Sequence, residues 1–193
     1  GMQEDFGESL MPGILGQFKR YHPQVRIVAR VDRNGPLRQA LAEEALDLAL
    51  LWQTEDQGPG MGRCPLAWIA HPDLDIGALL ASGEPLPLVM FDSPCLMRSR
   101  AIACLDAAGI PWQVVFVSHS LNGIWAAVQA GLGLTIRTRI GMPGNLRTVA
   151  GLLPSPGSLA VNLQQTPREG QHSAAVALLG DLMTEALQGW VEM

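Results

Sequence analysis

The sequence predicts an α/β protein built in two halves, each holding a mostly parallel sheet. Short apolar runs alternate with amphipathic segments along the chain. A Gly/Pro-rich stretch at residues 56–62 separates a first series of these from a second. The composition, with 48% hydrophobic, 16% charged and 5% aromatic residues among 193, is that of a folded domain. A chain of this length buries roughly 70% of its unfolded surface and needs no metal or disulfide staple.

The elements follow in order. Ser9 comes after an acidic opening and precedes Leu10, Ile14, Leu15 and Phe18, a helical stripe ended by His22-Pro23. Residues 25–31 mix Val, Ile and Arg and predict a mostly buried strand. After the turn signal Asn34-Gly35-Pro36, Leu37, Leu41 and Ala45 recur at helical spacing. The continuous apolar run at residues 48–51 predicts a buried parallel strand, and residues 66–70 predict an apolar strand beyond the 56–62 loop.

From Gly83-Glu84-Pro85 a second series begins: strand 86–91, helix 99–108, strand 113–117, helix 121–130 and strand 134–137. A Gly/Pro-rich connection at 151–157 leads to strand 159–163 and a helix over 173–191 carrying Leu178, Leu182, Ala186 and Trp190. Strands alternating with helices predict right-handed βαβ units.

Several chemistries are disfavoured. Thirteen Lys and Arg, with Lys19 the single lysine, face eighteen Asp and Glu, a net charge of -5 that lacks the basic footprint of nucleic-acid binding. Cys64, Cys95 and Cys104 have no Cys-x-x-Cys spacing, so free thiols in a reducing compartment are expected rather than disulfides or zinc. His22, His71, His119 and His172 are scattered without metal-ligand spacing, and no metal or cofactor is expected. Ser118-His119-Ser120 has no nucleophile elbow around it, and Gly131-Leu132-Gly133 reads as a helix-to-strand turn with positive φ rather than a nucleotide fingerprint. No apolar run approaches a membrane span, and no secretion signal is visible, so a cytoplasmic protein without membrane contact is expected.

What recurs is the strand-to-helix junction, at residues 4–9, 32–36, 91–99 and 117–121. In an α/β sheet such junctions lie at the carboxyl ends of the strands, where ligands meet helix N-termini. The serines there, Asn34 and His119 are donors for a small anion, and Arg33 and Arg98 are candidate charge partners.

A family resemblance joins these readings. The residues that carry it are Gly1-Met2-Gln3-Glu4-Asp5-Phe6, Leu10-Met11-Pro12 with Leu15 and Phe18, His22-Pro23, and Leu41 followed by Leu46-Asp47-Leu48-Ala49-Leu50. Later come Trp68-Ile69-Ala70, Pro87-Leu88-Val89, Pro94-Cys95-x-x-Arg98, Leu105-Asp106-x-x-Gly109-Ile110-x-Trp112 and Ala126-Ala127-Val128-x-Ala130-Gly131-Leu132-Gly133-Leu134. In order and spacing they resemble the effector-binding, or regulatory, domain of LysR-type transcriptional regulators.

The resemblance implies two α/β subdomains like type 2 periplasmic binding proteins, joined by two crossover strands, with a small-molecule effector in the cleft. Subdomain I would be residues 1–67 with 158–193, and subdomain II residues 68–157. Pocket positions carried over fall on Glu4, Asp5, Phe6, Arg33, Asn34 and Trp52 in the first, and Ser93, Pro94, Cys95, Met97, Ser118 and His119 in the second. An aromatic or anionic metabolite is the expected effector, with Phe6, Trp52 and Met97 as an apolar wall. Glu4 and Asp5 stand where many relatives offer Ser or Thr, which argues against a simple carboxylate at that junction.

The resemblance also implies allosteric control of transcription without catalysis, as a homodimer or homotetramer. DNA would be contacted through an N-terminal helix-turn-helix outside these residues. Leu10 and Ile14 of the first helix would pack near Leu121 and Trp125 of a partner copy, the latter two as exposed anchors. A strand ending at Gly1 is expected to precede the chain, so these residues alone should be less stable, or a foreign strand should fill the gap. The alternative is a periplasmic solute-binding protein of a transporter, which needs a secretion signal. A lyase on the same architecture would need an acid/base pair among Glu4, Asp5 and His119.

Overall fold

The computed structural model of the protein describes residues 1–53, 60–166 and 173–191. Residues 56–59 of the expected loop, and His172, lie outside them. The chain divides into two compact units, Gly1–Cys64 with Leu159–Met193, and Pro65–Ser158.

In the first unit, α1 (Glu4–Tyr21) buries Phe6, Leu10, Ile14 and Phe18 at four-residue spacing. It starts well before Ser9, so the expected 4–9 junction is itself helical. Glu4 and Asp5 in the first turn explain this, because carboxylates complement the positive end of the helix dipole. Likewise α2 (Asn34–Ala42) takes in the expected turn Asn34-Gly35-Pro36, since proline costs nothing in a first turn whose N–H groups have no helical partner. Leu37, Ala40 and Leu41 of α2 form one cluster with Leu46, Ala49 and Leu51.

The strand β1 (Leu48–Gln53) is buried throughout. It was expected to be parallel, yet its ladder is antiparallel, running from Leu48 opposite Gln165 to Gln53 opposite Ala160 of β7 (Ser158–Gln165). A parallel contact remains at Leu50, bridged to Met2. Local pattern reports burial and not direction, which here is set by a segment returning from far along the chain. The last helix, α6 (Ala174–Leu187), packs against α1 and β1 and is capped by Ser173, whose Oγ accepts from Val176 N at 3.4 Å. It stops short of the expected residue 191.

Residues 25–31 correct the sequence reading most plainly. They form no strand, and Val25, Val28 and Val31 are 45%, 73% and 46% exposed. Val31 alone is bridged, to Met2. Apolar alternation makes a strand only where another backbone lies alongside to complete the ladder.

The second unit comprises most of β2 (Gly62–Ala70), then α3 (Ile76–Ser82), β3 (Leu86–Phe91), α4 (Leu96–Ala107), β4 (Trp112–Ser118), α5 (Leu121–Gln129), β5 (Thr135–Thr138) and β6 (Arg147–Val149). β3 and β4 run parallel, as the βαβ pattern predicts, from Leu86 beside Trp112 to Phe91 beside Ser118. β2 pairs antiparallel with both β5 and β6. The short α3 and β6 were not anticipated; one is a single capped segment ending at Gly83 in the left-handed region, the other too brief for any period to show.

Val89 and Phe91 of β3 pack with Leu121, Ile124, Trp125 and Val128 of α5. Gly133, after the expected positive-φ Gly131, lets β5 approach β3, since a Cβ there would lie 2.3 Å from the Pro87 carbonyl oxygen.

Leu10, Ile14, Leu121 and Trp125, expected at a dimer contact, are all interior to their own units at 8%, 4%, 1% and 4% exposure. The exposed-anchor reading of Leu121 and Trp125 is thus overturned. Residues four apart on an amphipathic helix share the stripe that seeks its own core first.

Candidate functional site

In the second unit, two parallel strands and the helices that follow them build one polar edge. The βαβ connection brings the carboxyl ends of β3 and β4 together, where Asp92 N–H donates to the Ser118 carbonyl at 3.2 Å. Residues 92–95 then lead into α4 and residues 119–120 into α5. His119 Nδ1 lies 2.9 Å from Asp92 Oδ2, tying the two loops together, with the imidazole 84% and the carboxylate 25% exposed.

Around this pair the donors are arranged by capping. Ser120 Oγ accepts from Gly123 N at 3.2 Å, the N-cap of α5. Ser118 Oγ accepts from Ser120 N at 3.1 Å and donates to the Ser120 carbonyl, also at 3.1 Å. Glycine is required at 123, because a Cβ there would lie 2.2 Å from Ser118 Oγ. Across the edge, Cys95 caps α4 without a side-chain bond, leaving that helix end without side-chain capping. Ser93 and Pro94, joined by a cis peptide, are exposed, Cys95 is half-buried, and Met97 is buried.

The charges beneath are fixed. Arg98 Nη1 donates to the Phe91 carbonyl at 2.9 Å, so it closes the end of β3. Arg137 of β5, 5% exposed, lies with its guanidinium carbon 4.6 Å from the centre of the Phe91 ring. Sequence reasoning missed Asp92 and Arg137. The first is a neighbour of residues it named, but Arg137 sits in a strand whose sequence carries no ligand signal.

In the first unit the expected residues also converge, though on a packed cluster. Asn34 Oδ1 accepts from Trp52 N at 3.1 Å and from Gln3 Nε2, while Asn34 Nδ2 donates to the Trp52 carbonyl at 2.8 Å. The carboxamide therefore clamps the end of β1 to the start of α2. The Phe6 and Trp52 ring centroids are 4.5 Å apart, tilted by 39°. Trp52 Nε1 is buried with no hydrogen-bond partner among the described residues.

Asp5 is buried and Glu4 half-buried in the first turn of α1, and Arg33 N–H donates to Asp32 Oδ1 at 2.8 Å. Burial, and then the Asp5 charge, push the Cys64 thiol up to about 12, which keeps it protonated. Burial raises the Cys104 thiol as well. Phe6, Trp52 and Met97, expected as an apolar wall, are 0%, 2% and 3% exposed and belong to the interior.

A sequence model of the LysR substrate binding domain matches residues 1–188. The chain belongs to this LysR family of effector-binding domains. PecT, an HTH-type transcriptional regulator of Dickeya dadantii (strain 3937), is 30% identical over 151 residues, 77% of this chain and 46% of PecT. DgdR, an HTH-type transcriptional regulator of Burkholderia cepacia, is 29% identical over 179 residues, 91% of this chain and 60% of DgdR. The chain thus spans about half the length of these relatives. Among solved structures, the effector binding domain of QuiR in complex with shikimate superposes with a TM-score of 0.73 at 13% identity, covering 96% of this chain and 93% of that one. The fold expected from the resemblance, that of LysR regulatory domains and type 2 periplasmic binding proteins, is the fold of this LysR domain. Among the described residues no group of three or more His, Cys, Asp or Glu is placed to hold a metal ion, and no helix is long and apolar enough to cross a membrane.

Proposed function

We propose that the chain is the effector-sensing part of a LysR-type transcriptional regulator, and that its effector is a small anionic metabolite held at the Phe91/Ser118 edge. The observation that carries this reading is the juxtaposition of residues 92–95 with residues 118–120 at the N-termini of α4 and α5. Helix N-termini favour negative charge, and the Ser93 hydroxyl and the exposed His119 imidazole supply directional donors. The ligand in the QuiR complex, shikimate, supports a small organic molecule as the class.

The relatives are transcriptional regulators, so the transporter alternative is not carried forward. In such a regulator the effector acts by differential affinity for two arrangements of the protein, with no chemical step. The same reading makes the full-length protein a cytoplasmic homodimer or homotetramer that contacts DNA through a helix-turn-helix outside these residues.

A thermal-shift screen against organic acids tests it. A ligand at about 100 times its Kd stabilises the fold by roughly 2.7 kcal/mol. The expected result is a shift that shrinks in His119→Ala and in Ser93→Ala but persists in Gln113→Ala, an exposed position on β4. A panel without any shift, or a shift undiminished in the double variant, overturns the assignment.

A further inference from the structure

His119 meets Asp92 through one particular nitrogen. Nδ1 lies 2.9 Å from Asp92 Oδ2. An ionised carboxylate only accepts, so Nδ1 carries the hydrogen of this contact. In a neutral imidazole the second nitrogen then has none. The bond to Asp92 fixes the tautomer and leaves Nε2, on a ring 84% exposed, as a lone pair. A lone pair accepts from a hydroxyl and repels the oxygen of an anion.

The neighbouring side chains sharpen the point. Ser118 Oγ gives its hydrogen to the Ser120 carbonyl, and Ser120 Oγ is engaged by Gly123 N as the cap of α5. Within residues 118–120, His119 is thus the side chain turned to solvent. On the elements around it, β3, β4 and α5 carry no charged residue. The charges of α4 are Arg98, which donates to the Phe91 carbonyl, Arg100, which lies toward Gly157, and Asp106, which accepts from Trp112 Nε1 at the far end of β4. From β5, Arg137 lies against the Phe91 ring. Asp92 is the charged group bonded to the imidazole, and Cys95 is the other titratable side chain of residues 92–95.

We propose that anion binding at this edge is linked to a proton: His119 takes one from solvent onto Nε2 and donates a hydrogen bond from it to the anionic oxygen of the effector. The inference rests on the effector site proposed above. Protonation leaves the Nδ1–H bond to Asp92 in place, so neither loop has to move. The cationic ring then stands between two anions, the Asp92 carboxylate and the ligand. Because histidine titrates between about pH 5 and 8, the binding-competent fraction falls roughly tenfold or more across that range, and the apparent affinity falls with it. The domain would report metabolite and acidity together.

Sulfate is the probe, since it stays a dianion over this range and has no hydrogen to offer Nε2. It is titrated into the uniformly 15N-labelled chain at fixed ionic strength from about pH 5 to 8, with the imidazole signals of His119 assigned through His119→Gln. Neutral His119 should carry its hydrogen on Nδ1. Sulfate should move the amides of residues 92–95 and 118–120, raise the titration midpoint of His119, and bind about tenfold or more weakly at the upper pH. His119→Gln, whose amide hydrogens do not titrate, should bind sulfate equally at both ends of the range. A neutral ring with its hydrogen on Nε2, a wild-type affinity independent of pH, or a pH dependence that survives in His119→Gln overturns the proton link and leaves the site standing. Sulfate that moves no signal at these residues overturns the site, and the link with it.

Discussion

His119 Nδ1 and Asp92 Oδ2, 2.9 Å apart, join two loops that are adjacent only because β3 and β4 are parallel neighbours. With the imidazole 84% exposed, the pair contributes less than about 1 kcal/mol to stability. Asp92→Ala is therefore expected to leave the urea midpoint nearly unchanged while weakening effector binding, because the ring loses its orienting partner. Calorimetric titration beside a denaturation curve separates the two effects.

Asn34 behaves differently, since its carboxamide serves both the N–H and the carbonyl of the buried Trp52. Asn34→Ala removes the acceptor of the Trp52 N–H, at roughly 1–3 kcal/mol, while the Trp52 carbonyl keeps Arg38 Nη2 at 3.4 Å. The expected outcome is a loss of about 1–3 kcal/mol in chemical denaturation, with altered tryptophan emission.

Gly123 and Gly133 forbid a side chain for different reasons, and the difference is measurable. Gly123→Ala collides with Ser118 Oγ, a removable atom, so adding Ser118→Ala should recover part of a loss of about 1–3 kcal/mol. Gly133→Ala collides with the Pro87 carbonyl, which no side-chain change removes. A double-mutant cycle with no recovery at Ser118 refutes the contact.

Leu121→Ala and Trp125→Ala should unfold the second unit rather than merely separate subunits, because both side chains are interior. Losses of about 2–5 kcal/mol are expected from denaturation. A variant that keeps native stability and sediments as a smaller species contradicts this.

The stability of the 193-residue chain should depend on pH through the Gly1 amino group, whose value falls from 8.0 to about 6 on folding, chiefly by burial. Between these values the unfolded chain binds more protons, so stability rises with pH, complete above about 8 and lost as pH falls to about 6. N-terminal acetylation should flatten this slope in melting curves taken from pH 5.5 to 8.5.

Much of the molecule was legible from local pattern. The strand at residues 86–91, the helices beginning at Ser120 and Ser173 and the turn at Gly131 carry their own periodicity, caps or backbone requirement, so one-dimensional information suffices. Residues 25–31 failed because their alternation names a strand without naming its neighbour. Leu121 and Trp125 failed because spacing defines an apolar face but not what covers it.

Sequence by itself therefore determined the alternating α/β layout, the family, and the two strand-to-helix junctions of the second unit where polar residues gather. Tertiary structure decided that β1 is antiparallel to β7, that Asn34 is spent on Trp52 while His119 stays open to solvent, and that Arg137 is buried beside Phe91. The physical reason is one of range. Propensity, capping and periodicity act within a few residues, whereas strand direction, hydrogen-bond partners and burial depend on segments a hundred residues away arriving alongside.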